Sequence, residues 1–432
     1  MIEQDRVFAK CAWRLIPFMI LLYLVNYIDR VNVGFAALTM NKDLGFSPSV
    51  FGLGAGIFFI GYSLFQVPAN VILDRMGARR WVFCILATWG AISTATALVR
   101  GPTSFYVLRF LLGVAEAGFT PGMIYYLSIW FPRSYRARFT GGFFVAVPLA
   151  FIVGGPLSGA ILGMDGVMGL HGWQWLFLLE GAPAFLLAFA VLRLLPDGPA
   201  QAAFLTGDEK TVIAARLAAE DSPSEQRDLW PALRDPRVIA LGLVYFGISS
   251  GAYGVQLWLP QIVQAMGYSN FATGFVAALP FVAGIAGLIV WGRSSDLRGE
   301  RIWHVALPTL LAASSFVVAS LASSDLIVLL ALTFATVGIR SVQGPYWSLL
   351  SSFLSGPAAA GGIALASTIG TGLGGFLGPT IIGVLRQETG GYASGMVALA
   401  LGQVLAAIIV LALGRAMAPR KAVVQPTTSG AE

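Results

Sequence analysis

Long apolar segments of about 20 residues recur along this chain, and they restrict its fold more than any other feature. A helix rises 1.5 Å per residue, so about 20 residues cross the roughly 30 Å hydrocarbon core of a bilayer. Charged residues make up only 11% of the chain, whereas soluble domains carry about 25%. The sequence predicts an all-α membrane protein of 12 transmembrane helices, at approximately 15–38, 50–73, 81–99, 103–128, 139–162, 174–195, 238–262, 271–291, 303–322, 325–350, 360–385 and 392–417.

Lys and Arg are distributed unevenly among the segments that connect these spans. With a cytoplasmic N-terminus, the cytoplasmic segments contain 21 of the 27 Lys and Arg residues, and the outer loops contain Lys42, Arg100 and Arg386. Positive residues are enriched on the cytoplasmic side of membrane proteins. We therefore predict cytoplasmic N- and C-termini in a multi-pass protein of the cell inner membrane. Membrane orientation also explains the net charge of +6, so no nucleic-acid partner is expected.

One long polar insert divides the chain into two sets of six spans. The loop after the second span reads DRMGARR and the loop after the eighth reads SDLRGER, so the halves resemble each other. Two such repeats with a binding site between them are typical of secondary transporters. The predicted units are an N-terminal six-helix bundle (1–195), a cytoplasmic central loop (196–237), a C-terminal six-helix bundle (238–417) and a cytoplasmic tail (418–432).

The sequence contains no motif of an enzyme or of a metal protein. A Walker phosphate loop, a nucleophile elbow and metal-ligand spacing are all missing, and there are only two His residues. Cys11 and Cys84 cannot form a disulfide framework and are expected to be free thiols. We predict that the chain is not an enzyme and that it has no metal and no cofactor.

Charged residues within membrane spans are energetically expensive and usually functional. Asp29 and Arg30 lie near the middle of the first span, where Tyr23, Asn26, Tyr27 and Arg30 share one helical stripe. Adjacent helical residues do not face each other, so Asp29 and Arg30 each need a partner elsewhere. They could brace neighbouring helices, but we favour a functional role in which Arg30 holds a substrate carboxylate.

Further charged residues lie in the fourth and sixth spans. Arg109 and Glu116 are on one helical face, about 10.5 Å apart along the axis, and Gly113 between them is expected to leave the space open. We predict that Arg109 controls the proton affinity of Glu116, which would make the pair a coupling device. A loose structural pair is the alternative. Glu180 follows an aromatic-rich segment that is typical of a membrane interface, and we interpret it as structural.

The tenth span contains Arg340, Gln343 and Trp347 at i, i+3 and i+7 positions. A cation, an amide and an indole on one stripe could grip an anion and cover it with a ring, although helix packing is an alternative. With Arg30 in the other half, Arg340 would favour a doubly charged substrate, unless its side chain reaches the interface instead. Gln256 and Ser367 are further candidates for the pocket.

These segments together resemble a known family. The loop Asp74 to Arg80, repeated more weakly at Asp296 to Arg301, resembles the loop signature of the major facilitator superfamily. The segments NYIDRVNVGFA, RFLLGVAEAGFTPG and WFPRSYRAR resemble its anion:cation symporter family. Within that family the chain is most similar to tartrate, phthalate and hydroxyphenylacetate permeases, and the resemblance covers nearly the whole chain.

The resemblance implies two six-helix bundles, alternating access and proton-coupled uptake of a small organic anion by a monomer in the lipid bilayer. It implies proton coupling by Asp29 and Glu116, with Arg109 modulating Glu116. It also implies substrate contact by Tyr27, Arg30 and Tyr62, a pocket wall that includes Trp347 and Ser367, and a cytoplasmic latch of Asp74, Arg75 and Arg79.

Five positions depart from the family pattern and bear on the substrate. Gln66 and Ser367 stand where related permeases commonly carry Glu and Asn, and Gln256, Arg340 and Gln343 are unusual for the members that carry aromatic acids. A more polar, cationic pocket favours a hydroxy-carboxylate, a dicarboxylate or a sugar acid over an aromatic acid.

Two other functions compete with import. VGGPLSG in the fifth span partly resembles the signature of proton-driven efflux antiporters, but small residues and proline there also serve helix packing. The buried cations argue against a pocket for cationic drugs. A sensor that binds an anion without moving it is the other alternative, but the tails and the central insert offer no output domain. We therefore favour a symporter.

Overall fold

The computed structural model describes residues 2–132, 134–136, 139, 146–219, 234–352 and 357–417. Within these residues the regular elements are helices, and eleven helical segments are long and apolar enough to cross a membrane, with Leu149–Leu162 as a shorter candidate. The predicted all-α membrane fold is confirmed. Residues 140–145 of the fifth predicted span, residues 220–233 of the insert and the tail 418–432 lie outside the described residues.

The helices follow the predicted spans, with additional interruptions. The described N-terminal half contains α1 (Ile2–Asp43), α2 (Pro48–Met76), α3 (Ala78–Ala95), α4 (Pro102–Glu116), α5 (Phe119–Trp130), α6 (Ala146–Leu162) and α7 (Gly172–Leu194). The insert contains the surface helix α8 (Gly207–Ala218). The described C-terminal half contains α9 (Pro236–Ala265), α10 (Asn270–Arg298), α11 (Ile302–Leu321), α12 (Asp325–Ser341), α13 (Gln343–Ser352), α14 (Pro357–Ser367), a π-helical turn (Thr368–Leu373), α15 (Gly374–Thr389) and α16 (Ala393–Met417).

Local sequence signals explain where several helices begin. The Ser47 hydroxyl accepts a hydrogen bond from the Val50 amide at 3.3 Å, and Pro48 follows it at the first helical position of α2. Asp235 caps α9 in the same way, directly before Pro236. A side-chain oxygen at the cap satisfies an amide that the helix leaves free, and proline fits the first turn because its missing donor is not needed there.

Within the described residues, the main contacts between the two halves join α1 to α9, α2 to α15 and the preceding π-helical turn, and α6 to α10. Glycines permit the closest approach, since a methyl group on Gly274 of α10 would lie only 2.3 Å from the Gly155 carbonyl oxygen of α6. Asn41 Nδ2 donates across the halves to Gln261 Oε1 at 3.4 Å. These contacts lie towards the end of the molecule where α1 ends and α2 begins, which we call the closed end. The C-terminal part of α2 extends towards the opposite end of the molecule, and it exposes apolar side chains such as Leu64 and Val67.

Candidate functional site

A buried ion pair joins α1 to α4 near the centre of the N-terminal half. Arg30 Nη2 donates to Glu116 Oε2 at 2.6 Å and Arg30 Nε donates to the same oxygen at 3.1 Å. Asn26, one turn earlier on α1, donates to that oxygen at 3.0 Å. Arg30 is only 5% exposed and Glu116 is fully buried. The pair therefore lies in a medium of low polarity, where charge-assisted hydrogen bonds are strong.

Three aromatic rings surround the Arg30 guanidinium. Its central carbon lies 5.2 Å from the ring centre of Tyr27, 5.4 Å from that of Phe58 and 5.1 Å from that of Tyr62. Ring faces attract cations, so they hold the guanidinium in place without neutralising it. Tyr27 lies beside Arg30, as their shared helical stripe predicted, and Tyr62, which the family resemblance implied as a substrate contact, lies beside Arg30 as well. Phe58 was not predicted, because a phenylalanine in an apolar helix gives no sequence signal of its own.

Arg109 does not hydrogen-bond with Glu116, and its predicted control over the proton affinity of Glu116 stays a prediction. Its Nε, Nη1 and Nη2 atoms have no hydrogen-bond partner within the described residues, and its guanidinium lies over the Phe58 ring at 4.9 Å. The space beside Gly113 is also not open, since a methyl group there would lie 2.0 Å from the Phe58 carbonyl oxygen. α2 therefore fills the gap between Arg109 and Glu116. The cation that hydrogen-bonds to Glu116 is Arg30 of α1.

Asp29 points away from Arg30 towards α3. Its carboxylate accepts hydrogen bonds from Trp89 Nε1 at 2.5 Å, from Asn32 Nδ2 at 2.9 Å and from the Ser93 hydroxyl. All three donors are neutral, and Asp29 is fully buried. The structure therefore separates the two adjacent charges of α1 and gives each of them its own partners, as the helical spacing predicted.

Glu180 is buried inside the protein, which corrects its predicted place at an aromatic interface. Trp173 and Trp175 do lie near the start of α7, but Glu180 lies two turns further along and is only 3% exposed. Ser158 of α6 donates a hydrogen bond to Glu180 Oε1 at 2.8 Å. The sequence prediction rested on the aromatic neighbours of Glu180, whereas the packing of α6 against α7 buries this residue inside the protein.

Arg340 of the C-terminal half faces the seam between the halves. Its guanidinium lies 5.3 Å from the ring centre of Phe151 on α6 and 5.7 Å from that of Phe281 on α10. The hydroxyls of Tyr27, Tyr245 and Tyr253 are close enough to act on its charge. Within the described residues Arg340 has no salt bridge, so its positive charge is available to an anion.

The stripe predicted on the tenth span lies on one continuous span, because Val342 between α12 and α13 keeps helical backbone angles. Trp347 reaches the region of Arg340, since its ring centre lies 5.0 Å from that of Tyr245 on α9. Gln343 is partly buried at the first residue of α13. Neither Tyr245 nor Tyr253 was predicted. The two residues are eight positions apart on α9, which places both on one face, and this spacing was the signal that could have identified them.

The remaining pocket candidates lie around this region. Gln256 is 5% exposed and lines a small cavity at the seam, next to Phe151 and Phe281, and its Nε2 has no hydrogen-bond partner within the described residues. Ser367 is partly buried and directly precedes the π-helical turn. Such turns are frequent at functional sites, and a methyl group on Gly370 in this turn would lie 2.0 Å from the Tyr245 ring.

The predicted latch residues occupy the end of the molecule opposite the closed end. Arg79 Nη1 pairs with Asp197 Oδ2 at 3.3 Å, and Nη2 donates to the Leu192 carbonyl oxygen at the end of α7. Arg75 is exposed, and the Asp74 side chain lies outside the described part of the structure. The contacts of Arg79 therefore tie α3 to the end of α7 within one half.

The chain is similar to known transporters over most of its length. The sequence profile of the Major Facilitator Superfamily matches residues 19–379. A protein of Agrobacterium vitis, provisionally named a tartrate transporter, is 49% identical over 95% of this chain and 92% of its own length. The quinolone resistance transporter of Acinetobacter baumannii is 43% identical over 91% of both chains. A solved structure of a bacterial homolog of the lysosomal transporter Spinster shares the fold, with a TM-score of 0.79 at 18% identity over 95% of this chain and 97% of that one.

Proposed function

The chain belongs to the major facilitator superfamily, and from this premise we propose that it is a proton-coupled symporter that imports a small organic anion by alternating access. It is a multi-pass membrane transporter and not an enzyme. We place it as a monomer in the cell inner membrane, with both termini in the cytoplasm. In that orientation the closed end faces outwards, and the arrangement corresponds to a state that opens inwards.

The observation that carries this proposal is the pairing of Arg30 with Glu116. While Glu116 is ionised, it occupies the guanidinium that a substrate carboxylate would need. A proton on Glu116 removes this competing charge and leaves Arg30 free to form planar, charge-assisted hydrogen bonds with the substrate. Proton and anion then bind together and leave together, which is the requirement for symport. Asp29 is proposed as a second proton-coupling carboxyl, on the other side of α1.

The proposed substrate class follows from the second arginine. Arg30 belongs to the N-terminal half and Arg340 to the C-terminal half, and tyrosines from both halves surround them. Two cations on opposite halves could each bind one carboxylate, and tyrosine hydroxyls could bind substrate hydroxyl groups. This arrangement favours a dicarboxylate, a hydroxy-carboxylate or a sugar acid. The relative named for tartrate supports the same class, since tartrate is a dihydroxy-dicarboxylate.

Arg340→Gln is expected to change selectivity among substrates. Loss of one charge-assisted hydrogen bond, of about 1.5–3 kcal/mol, should weaken dicarboxylate binding by about 10- to 100-fold. A matched monocarboxylate, which needs only Arg30, should bind with nearly unchanged affinity. Competition against labelled substrate measures both affinities, and Arg293→Gln, at an exposed arginine of α10, serves as the control. If Arg340→Gln keeps the wild-type ranking of substrates, Arg340 is a packing residue and the dicarboxylate preference fails with it.

Efflux is the second candidate function, because one relative is named for quinolone resistance. Proteoliposomes with an imposed proton gradient separate the candidates, using labelled tartrate and a labelled quinolone as probes. A symporter accumulates tartrate on the side to which protons flow, whereas an antiporter moves its substrate against the direction of proton flow. Exchange of labelled for unlabelled tartrate without any gradient separates both transporters from a sensor, which would bind tartrate and exchange none across the membrane.

A further inference from the structure

A second group of buried polar side chains lies beside Asp29, on the part of α1 that faces α3 and α7. Asn32 Nδ2 donates to Asp29 Oδ1 at 2.9 Å, and the Asn32 side chain lies beside Glu180. Ser158 occupies one Glu180 oxygen. The other oxygen, Glu180 Oε2, and the Asn32 carbonyl Oδ1 are buried and have no hydrogen-bond partner within the described residues. The Asn32 amide therefore lies between two buried carboxyl groups, and two acceptors lack a donor.

The charges around Glu180 do not balance if both carboxyl groups are ionised. The helices packed against α7 are α1, α3 and α6. Towards Glu180, α6 contributes Ser158, α3 contributes Ser93 beside Gly181, and α1 contributes Asn32 and Asp29. The titratable group among these is Asp29, which is itself a carboxyl. Arg109 is near enough to act on the charge of Asp29 but is not among the groups that act on Glu180. Within the described residues no cation hydrogen-bonds to Asp29 or Glu180, so two ionised carboxyl groups would place two negative charges in a buried site without a directly bonded cation.

We propose that Glu180 is a further proton-binding residue of the transporter, protonated in this state and coupled to Asp29 through Asn32. A protonated carboxyl is a donor, and the primary amide of Asn32 can donate to ionised Asp29 while its carbonyl accepts from Glu180. One proton thus supplies the missing donor and leaves a single negative charge in the pair. Because each carboxyl affects the other, they titrate as a pair, which retains one proton to higher pH than a single carboxyl would.

The role of Glu180 in transport rests on the proposed function, but its protonation does not, so the two are measured separately. Infrared spectra of the purified protein across a pH series report the carbonyl stretch of protonated carboxyl groups. Wild type is expected to show this band at neutral pH and Glu180→Gln to lack it. The control Glu388→Gln, at an exposed position of α15, should retain the band. A band of wild-type intensity in Glu180→Gln overturns the proposal.

Transport then tests the coupling to Asp29. In proteoliposomes, the highest pH at which Glu180→Gln still accumulates substrate is expected to lie about one pH unit below that of wild type. A residue that is only structural would lower the rate and leave this limit unmoved, so an unmoved limit overturns the link to Asp29. If wild type accumulates nothing in response to a proton gradient but the band depends on Glu180, the proposed function fails and the protonation of Glu180 stands.

A second variant covers the case in which Glu180→Gln does not fold. Ser158→Ala removes the donor that stabilises the ionised form of Glu180, and it retains the carboxyl group itself. The band should therefore persist to higher pH in Ser158→Ala than in wild type. The same pH dependence in both proteins would contradict the assignment.

Discussion

Arg30→Ala is expected to abolish binding of the substrate anion, and Arg30→Lys to weaken it by about 10- to 100-fold. The guanidinium already forms two hydrogen bonds with one carboxylate oxygen of Glu116, and we propose that the substrate takes the place of that group. Lysine keeps the charge but not the planar pair of donors, so it cannot reproduce this geometry. Thermal stabilisation of the purified protein by a series of carboxylates measures the affinity, since a ligand that binds only the folded state raises its stability.

Controls are needed because Arg30→Ala also leaves Glu116 buried without its cation. Breaking a buried ion pair in this way costs about 3–5 kcal/mol of stability. The double variant Arg30→Ala with Glu116→Gln removes both charges, so it should regain stability and still not bind the substrate. Arg415→Lys, at an exposed position of α16, controls for the loss of an arginine as such. Wild-type affinity in the folded double variant would refute the role of Arg30.

Glu116→Gln is expected to eliminate proton-driven accumulation and to preserve substrate binding and counterflow. In wild type, affinity should fall as the pH rises, because deprotonated Glu116 competes with the substrate for Arg30. Glutamine resembles the protonated carboxyl and cannot ionise, so the affinity of the variant should be independent of pH and should equal or exceed that of wild type at alkaline pH.

Binding and transport across a pH series test this expectation in reconstituted protein. Asp29→Asn is the informative comparison, since Asp29 makes its hydrogen bonds with α3 and with Asn32 and does not contact Arg30. That variant should also lose accumulation, but its binding should keep the pH dependence of wild type. Glu388→Gln should behave as wild type in both assays. Accumulation that still follows the proton gradient in Glu116→Gln would exclude the proposed coupling.

Much of the fold could be predicted from the sequence, because the bilayer imposes the same requirement on each segment separately. A span needs about 20 apolar residues whatever its neighbours are, so the segments could be recognised one at a time. The same reasoning identified Asp29, Arg30, Arg109 and Glu116, since any charge within a span is conspicuous. Helical spacing also indicated that Asp29 and Arg30 face different partners. This inference needs only the positions of the two residues along one helix.

The partners themselves could not be predicted, because they depend on how separate helices rotate and pack. Spacing along α4 indicated that Arg109 acts on Glu116 but gave no direct partner for this carboxylate. In the structure α1 brings Arg30 to 2.6 Å from it, while α2 inserts Phe58 beside Arg109. Glu180 was assigned to the interface because its aromatic neighbours in sequence lie there, whereas the packing of α6 and α1 against α7 buries it. The sequence by itself determined which charges enter the membrane. Only the tertiary structure decided which of them meet, since contacts between helices join residues that are far apart in the chain.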